Sequence, residues 1–310
     1  MEKINAVFEG GGVKGISLAG AVTATEKAGR TFNKVAGTSS GSIVASLLAA
    51  GYSGKEMSGI IQNTSFASFL KRGAIYNTAV IGPALRVLIM KGLYSGEALE
   101  AWIHGLLMQK GVVTFRDLPH GKLSIIVSDI TNGRIVVLPR DLEDYGISPD
   151  QFAVAKAVRM SCSIPYFFDP VMLRQSGHAA KGKSFAEQFV YMVDGGLLSN
   201  FPLWLFDEKK EGLVASGTRV PTVGYQMIGR ADPQPHRIRG PFSMLQALVG
   251  TMVSAHDERY IEEEKFVRTV KIPTLGIATT QFEITTQQSD ALYAAGLQAG
   301  EDFFRNWRPR

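Results

Sequence analysis

Apolar and polar positions at the start of the chain repeat one pattern, strand, turn and helix. Ile4–Phe8 is a short apolar run of strand type, followed by Gly10-Gly11-Gly12-Val13-Lys14-Gly15. Ile16–Ala28 has helical character and stops at Gly29, a residue suited to a helix C-terminus. Phe32–Ala36 predicts a second strand, Gly37-Thr38-Ser39-Ser40-Gly41 a sharp turn, and Ser42–Ala50 an apolar helix ending at Gly51. Two such units in succession predict a parallel α/β sheet with its loops gathered on one edge.

Further along, Lys55–Gln109 reads as mainly helical, with turns near Gly73, Gly82-Pro83 and Gly92. Leu123–Asp129 and Arg134–Leu138 predict a strand pair joined through Thr131-Asn132-Gly133, since Asn-Gly favours hairpins. Gln151–Met160 predicts a helix, and Arg174–Glu187 an exposed polar loop. Phe189–Val193 is a strand leading into Asp194-Gly195-Gly196. Beyond it lie expected strands at Thr222–Ile228 and Phe266–Ile272, a long helix at Phe242–Glu264 and a closing helix at Ser289–Trp307. Arg230–Gly240, rich in proline and arginine, reads as a connector. With no internal repeat, the expectation is a single domain over residues 1–310.

Composition narrows the function classes. Hydrophobic residues make up 45% and charged residues 20% of 310, which suits a folded globular chain. A net charge of +5 favours anionic partners, phospholipid headgroups among them. Long runs of like charge and RNA-binding aromatic motifs are missing from the sequence, so nucleic acid is not an expected partner. One cysteine, Cys162, precludes an internal disulfide and suits a reducing compartment; its apolar neighbours predict a buried, inert thiol. A strand starting this close to the N-terminus leaves no space for a secretory leader, and no apolar stretch reaches the ~18–20 residues of a membrane span. The expected location is cytoplasmic, with peripheral membrane contact or leaderless export left open.

Three motifs carry chemistry. Gly37-Thr38-Ser39-Ser40-Gly41 is a G-x-S-x-G between a strand and a helix, where a tight turn exposes the serine hydroxyl. The helix start behind it adds positive partial charge. Gly10–Gly12 precede a helix in a loop able to aim consecutive N–H groups at one point, as a developing oxyanion requires. Gly10, Gly12 and Gly15 also satisfy the dinucleotide pattern G-x-G-x-x-G. That pattern needs an acid near the end of the second strand, where this chain has Lys34-Val35-Ala36-Gly37. Asp194, at a strand end and followed by glycines, can be held beside a serine on a neighbouring strand end.

In this order and these strand contexts, GGGVKG, GTSSG and DGG resemble the motifs of patatin-like phospholipases. SCSIPYFFDP, within residues 160–170, is similar to the family's Ser-x-x-x-Pro-x-x-Phe segment, and Val270–Phe304 resembles the C-terminal part of bacterial members. Glu9 stands where many plant members have aspartate. The resemblance implies a three-layer α/β/α sandwich with a mainly parallel central sheet. It further implies a serine lipid acyl hydrolase in which Ser39 is the nucleophile, Asp194 takes its proton directly, and Gly10, Gly11 and Gly12 form the oxyanion hole. Phospholipid or another acyl lipid would be the substrate, with no metal or cofactor. Lys14 is a candidate contact for a substrate phosphate.

An aspartate, with a reference pKa of about 3.9, is a poor base for a serine hydroxyl unless desolvated and aligned. Ser39, Asp194 and His256 do follow the serine–acid–histidine order of α/β-hydrolases, which makes a histidine-dependent esterase one alternative. There, however, the elbow follows several strands, and here only two. His104, His120, His178 and His236 show no metal-site spacing. A catalytically inactive binding or scaffold protein is the other alternative. The apolar stretch from Tyr76 to Tyr94 reads as a buried helix pair, or as a lid that admits acyl chains.

Overall fold

A computed structural model describes residues 2–64, 66–70, 86–87, 89–207, 220–229, 238, 244, 247, 251, 268–277, 279, 281 and 284–308. Most of the expected helix Phe242–Glu264, of the Arg230–Gly240 connector and of the Tyr76–Tyr94 stretch lies outside them, as do His236 and His256.

The N-terminal pattern folds as its periodicity predicts. Strand β1 (Glu2–Phe8) leads through a 3₁₀ turn, Gly12–Gly15, into helix α1 (Ile16–Lys27). Strand β2 (Arg30–Thr38) passes through Ser39 into α2 (Ser40–Ala49). Helix α3 (Gly54–Gln62) starts at a capping box in which Ser53 and Glu56 satisfy each other's backbone amides. Strand β3 (Gly92–Tyr94) and helix α4 (Glu97–Gln109) follow. Next come β4 (Leu123–Asp129), β5 (Arg134–Leu138) and α5 (Val154–Ser161). Strands β6 (Tyr166–Phe168), β7 (Val171–Arg174) and β8 (Phe189–Asp194) precede β9 (Thr222–Ile228), β10 (Thr269–Pro273) and the closing helix α6 (Thr286–Asn306).

Eight strands form one sheet in the order β10-β9-β1-β2-β4-β8-β7, with β5 paired to β4. The run from β10 to β4 is parallel, and β5, β8 and β7 join antiparallel. The fold is therefore α/β with a mostly parallel central sheet. Alternation along β1 sends Ile4, Ala6 and Phe8 into a cluster with Leu18 of α1, Val44 of α2, Ile103 of α4 and Val158 of α5. Val7 and Ala36 point the other way, against Leu203 in the short turn Leu203–Phe206.

The structure differs from the sequence reading at short elements. β3, β6 and β7 were not anticipated, because three or four residues carry no measurable period. The predicted hairpin is present with the strand bounds expected, its loop spanning residues 130–133. Asp129 holds it open by accepting from the amides of Thr131 and Asn132.

One feature of the register places the site. β5 occupies one edge of β4 along Ile125–Asp129. On the other edge β2 pairs with Leu123–Ile126, and β8 with Val127–Asp129. Thr38 lies opposite Ile126 and Asp194 opposite Val127, so the C-terminal ends of β2 and β8 meet nose to nose beside β4.

Candidate active site

Ser39 sits at the junction of β2 and α2 with φ 52° and ψ −126°, a conformation unfavourable to a residue with a Cβ. Its surroundings hold it there. The Ser39 N–H donates to Ser161 Oγ at 2.9 Å, and Ser161 Oγ donates in turn to the Ile126 carbonyl at 2.6 Å. Ser42 Oγ donates to the Ser39 carbonyl at 2.6 Å. The turn also needs a bare Gly41, where a Cβ would run into the carbonyls of Phe8 and Glu9.

Ser39 Oγ donates to Asp194 Oδ2 at 2.7 Å, across 155 residues of sequence. The other carboxylate oxygen accepts from the Gly196 amide at 2.8 Å. Both side chains are buried, Ser39 at 6% exposure and Asp194 at 5%. Burial lifts the Asp194 carboxyl from the usual carboxylate range to about 7, against the opposing pull of the hydrogen bonds from Ser39 and Gly196. The desolvation that an aspartate base requires is thus present. Among the described residues no histidine bonds to either side chain.

The glycine loop runs alongside. Gly10 is so near that a Cβ on it would press on the Ser39 Cβ. Two of its three amides are engaged within the protein. Gly10 N–H donates to the Asn200 carbonyl at 3.2 Å and Gly11 N–H to Ser40 Oγ at 3.0 Å. Buried amides find partners, and these bonds pin the loop against the elbow. Asn200 Nδ2 adds a bond to the Gly10 carbonyl at 3.1 Å. Gly12, at φ 57°, has no acceptor for its amide among the described residues. Glu9 accepts from the Met227 amide at 2.5 Å.

Gly12, Ser39 and Ser40 line an apolar cavity of about 790 Å³, counted out to its open mouth. Ile43, Val44 and Leu47 of α2, Met57 and Ile60 of α3, and Phe69, Trp102, Ile164 and Phe168 form its walls. From Ser39 to Leu47 the helix advances about 12 Å. Cys162 is part of this wall, and its thiol is pushed well up by burial and by Asp194, consistent with an inert thiol. Lys14 is not part of the lining.

The sequence reading named Ser39, Asp194 and the glycines. It missed Ser161, Ser40 and Asn200, whose roles arise from contacts across the fold. Ser161 alone had a local signal, as the serine of the Ser-x-x-x-Pro segment.

Fold and site define an α/β protein whose strand-to-helix elbow presents a buried serine to a buried carboxylate. Residues 6–207 match the family described as patatin-like phospholipase. The chain belongs to that family, and so to a group of lipid hydrolases. It is 39% identical over 305 residues to the uncharacterized protein YqhO of Bacillus subtilis (strain 168), covering 98% of this chain and 99% of that one. It is 22% identical over 306 residues to the uncharacterized protein R571 of Acanthamoeba polyphaga mimivirus, covering 95% and 91%. The crystal structure of VipD from Legionella pneumophila superposes with a TM-score of 0.56 at 17% identity, over 99% of this chain and 67% of that one, a likeness of fold.

Proposed function

We propose that the protein releases fatty acid from phospholipid or a related acyl lipid by a serine–aspartate dyad. The observation that carries this reading is the buried 2.7 Å bond from Ser39 Oγ to Asp194 Oδ2 at the head of an apolar cavity. Ser39 Oγ attacks the ester carbonyl as Asp194 takes its proton. The carboxylic acid so formed returns that proton to the leaving alcohol. Water then attacks the acyl-enzyme, with Asp194 again as base.

The tetrahedral oxyanion falls to the Gly10–Gly12 loop, with Gly12 its principal donor, aided by the N-terminal end of α2. One such donor is worth about 2.7–4 kcal/mol of barrier. The acyl chain occupies the cavity along α2, where each buried methylene contributes about 0.8 kcal/mol. Lys14, outside that wall, is our candidate for contact with a headgroup phosphate rather than with the chain.

A fluorophosphonate probe should label the wild type at Ser39. Ser39→Ala should lose both labelling and fatty-acid release, and Asp194→Asn should fold but lose most activity. Full activity in Asp194→Asn would end the dyad mechanism. A folded wild type that takes up no probe would return the chain to the binding or scaffold reading.

A further inference from the structure

A contiguous outward face of the sheet carries exposed apolar side chains interleaved with cations. In edge strand β7, Val171 and Leu173 are buried while Met172 and Arg174 are exposed. Directly opposed residues of an antiparallel ladder point to the same side, so Tyr191 and Phe189 of β8 share the face of Met172 and Arg174. Phe185 packs edge-on against Phe189, with ring centroids 5.2 Å apart, and the Arg174 guanidinium lies 5.1 Å from the Phe185 centroid. The Lys91 ammonium, 5.1 Å from the Tyr191 ring, joins the exposed Ile89 and Met90 to the same patch.

Single exposed apolar residues are ordinary; a connected set is not. Phe185 is 66% exposed, Met172 55% and Ile89 54%, so the apolar tips face solvent rather than the core. The charge around them is one-sided. Within Val171–Tyr191, Arg174, Lys181 and Lys183 stand against one acid, Glu187, and Lys91 adds a further cation. Three residues beyond Lys91, Tyr94 pairs with Phe168, which lines the cavity wall.

We propose that the outer face of the β7–β8 ladder, with the Ile89–Lys91 turn, is a docking surface for a phospholipid bilayer bearing anionic headgroups. Met172, Phe185 and Ile89 enter the headgroup boundary while Lys91 and Arg174 meet phosphates. The choice of a bilayer as partner rests on the reading of the protein as a lipid hydrolase.

The test uses Ser39→Ala protein, in which lipid turnover is removed, in flotation with vesicles of phosphatidylcholine alone or mixed with phosphatidylglycerol. Binding is expected to the mixed vesicles and to weaken with added salt. Met172→Asp with Phe185→Asp, and separately Lys91→Glu with Arg174→Glu, should each weaken it at least about tenfold. In the Ser39 background both pairs should keep wild-type hydrolysis of a soluble short-chain ester. Absence of vesicle binding, or unchanged binding in both paired variants, overturns the proposal. So does a concentration-dependent dimer that the same substitutions abolish, which would assign the face to a second copy. Failure of the wild type to cleave the soluble ester would count against the catalytic reading alone, since flotation does not depend on turnover.

Discussion

At the scale of single residues, the proposed chemistry turns on a carboxyl group whose pKa its surroundings raise. Asp194 is active as a base only when ionised, and burial raises its pKa to about 7. Activity should therefore fall as pH drops through about 7 and level off above it. A profile of kcat/KM on a soluble ester, flat across that range, would contradict this assignment. The same shift has a cost in stability. A carboxyl whose folded pKa lies above its unfolded value stays protonated in the fold at pH values where the open chain has ionised. Stability is then fully present below about pH 4 and is lost as pH rises toward 7. Asp194→Asn, which cannot ionise, should be more stable than wild type above pH 7 by about 1–3 kcal/mol, and the gain should vanish in acid.

Ser161 is the other decisive residue. Its hydroxyl occupies the Ser39 amide and reaches the Ile126 carbonyl, tying the strained Ser39, the proposed nucleophile, to the central strand. Ser161→Ala should lower kcat and the rate of probe labelling by about tenfold with little change in KM, and cost about 1–3 kcal/mol from the groups left unpaired. A kcat at the wild-type level would make its contacts structural only. The Ser-x-x-x-Pro segment marks Ser161 locally, but not its contact with the Ser39 amide. Its importance comes from α5 being laid across the end of β4.

At the scale of elements, the first two strand–helix units were legible because each is long enough to show a period and is punctuated by glycine. The later short strands were not. β6 has three residues between Pro165 and Pro170, and its pairing with β3 is a tertiary contact. Helix packing supplies a test at this scale. α1 and α6 cross so closely that a Cβ on Gly296 would strike the Ser17 carbonyl, and one on Gly20 the Tyr293 carbonyl. Gly296→Val should force the closing helix away and destabilise the protein by about 2–4 kcal/mol, read as a lower urea midpoint. An unchanged midpoint would mean that α6 does not pack on α1 in this way.

At the scale of the whole molecule, the sheet continues past the family-matched segment. β9 pairs with β1, β10 with β9, and α6 lies on α1, so residues beyond 207 complete the same core. That continuity supports reading the chain as one domain. Among the described residues no helix is long and apolar enough to cross a membrane.

The sequence by itself determined the elbow and the glycine run, because those motifs are local: strand, tight turn and helix start are written within a few residues. It also made Asp194 a candidate, at a strand end followed by two glycines, and the resemblance to patatin-like phospholipases implied its role as partner. Only the tertiary structure decided that serine and aspartate touch. That contact depends on β2 and β8 sharing one edge of β4 at adjacent registers, and pairing across 155 residues leaves no trace in local periodicity. Burial at that junction, which raises the Asp194 carboxyl toward neutrality, is likewise a property of the packed molecule.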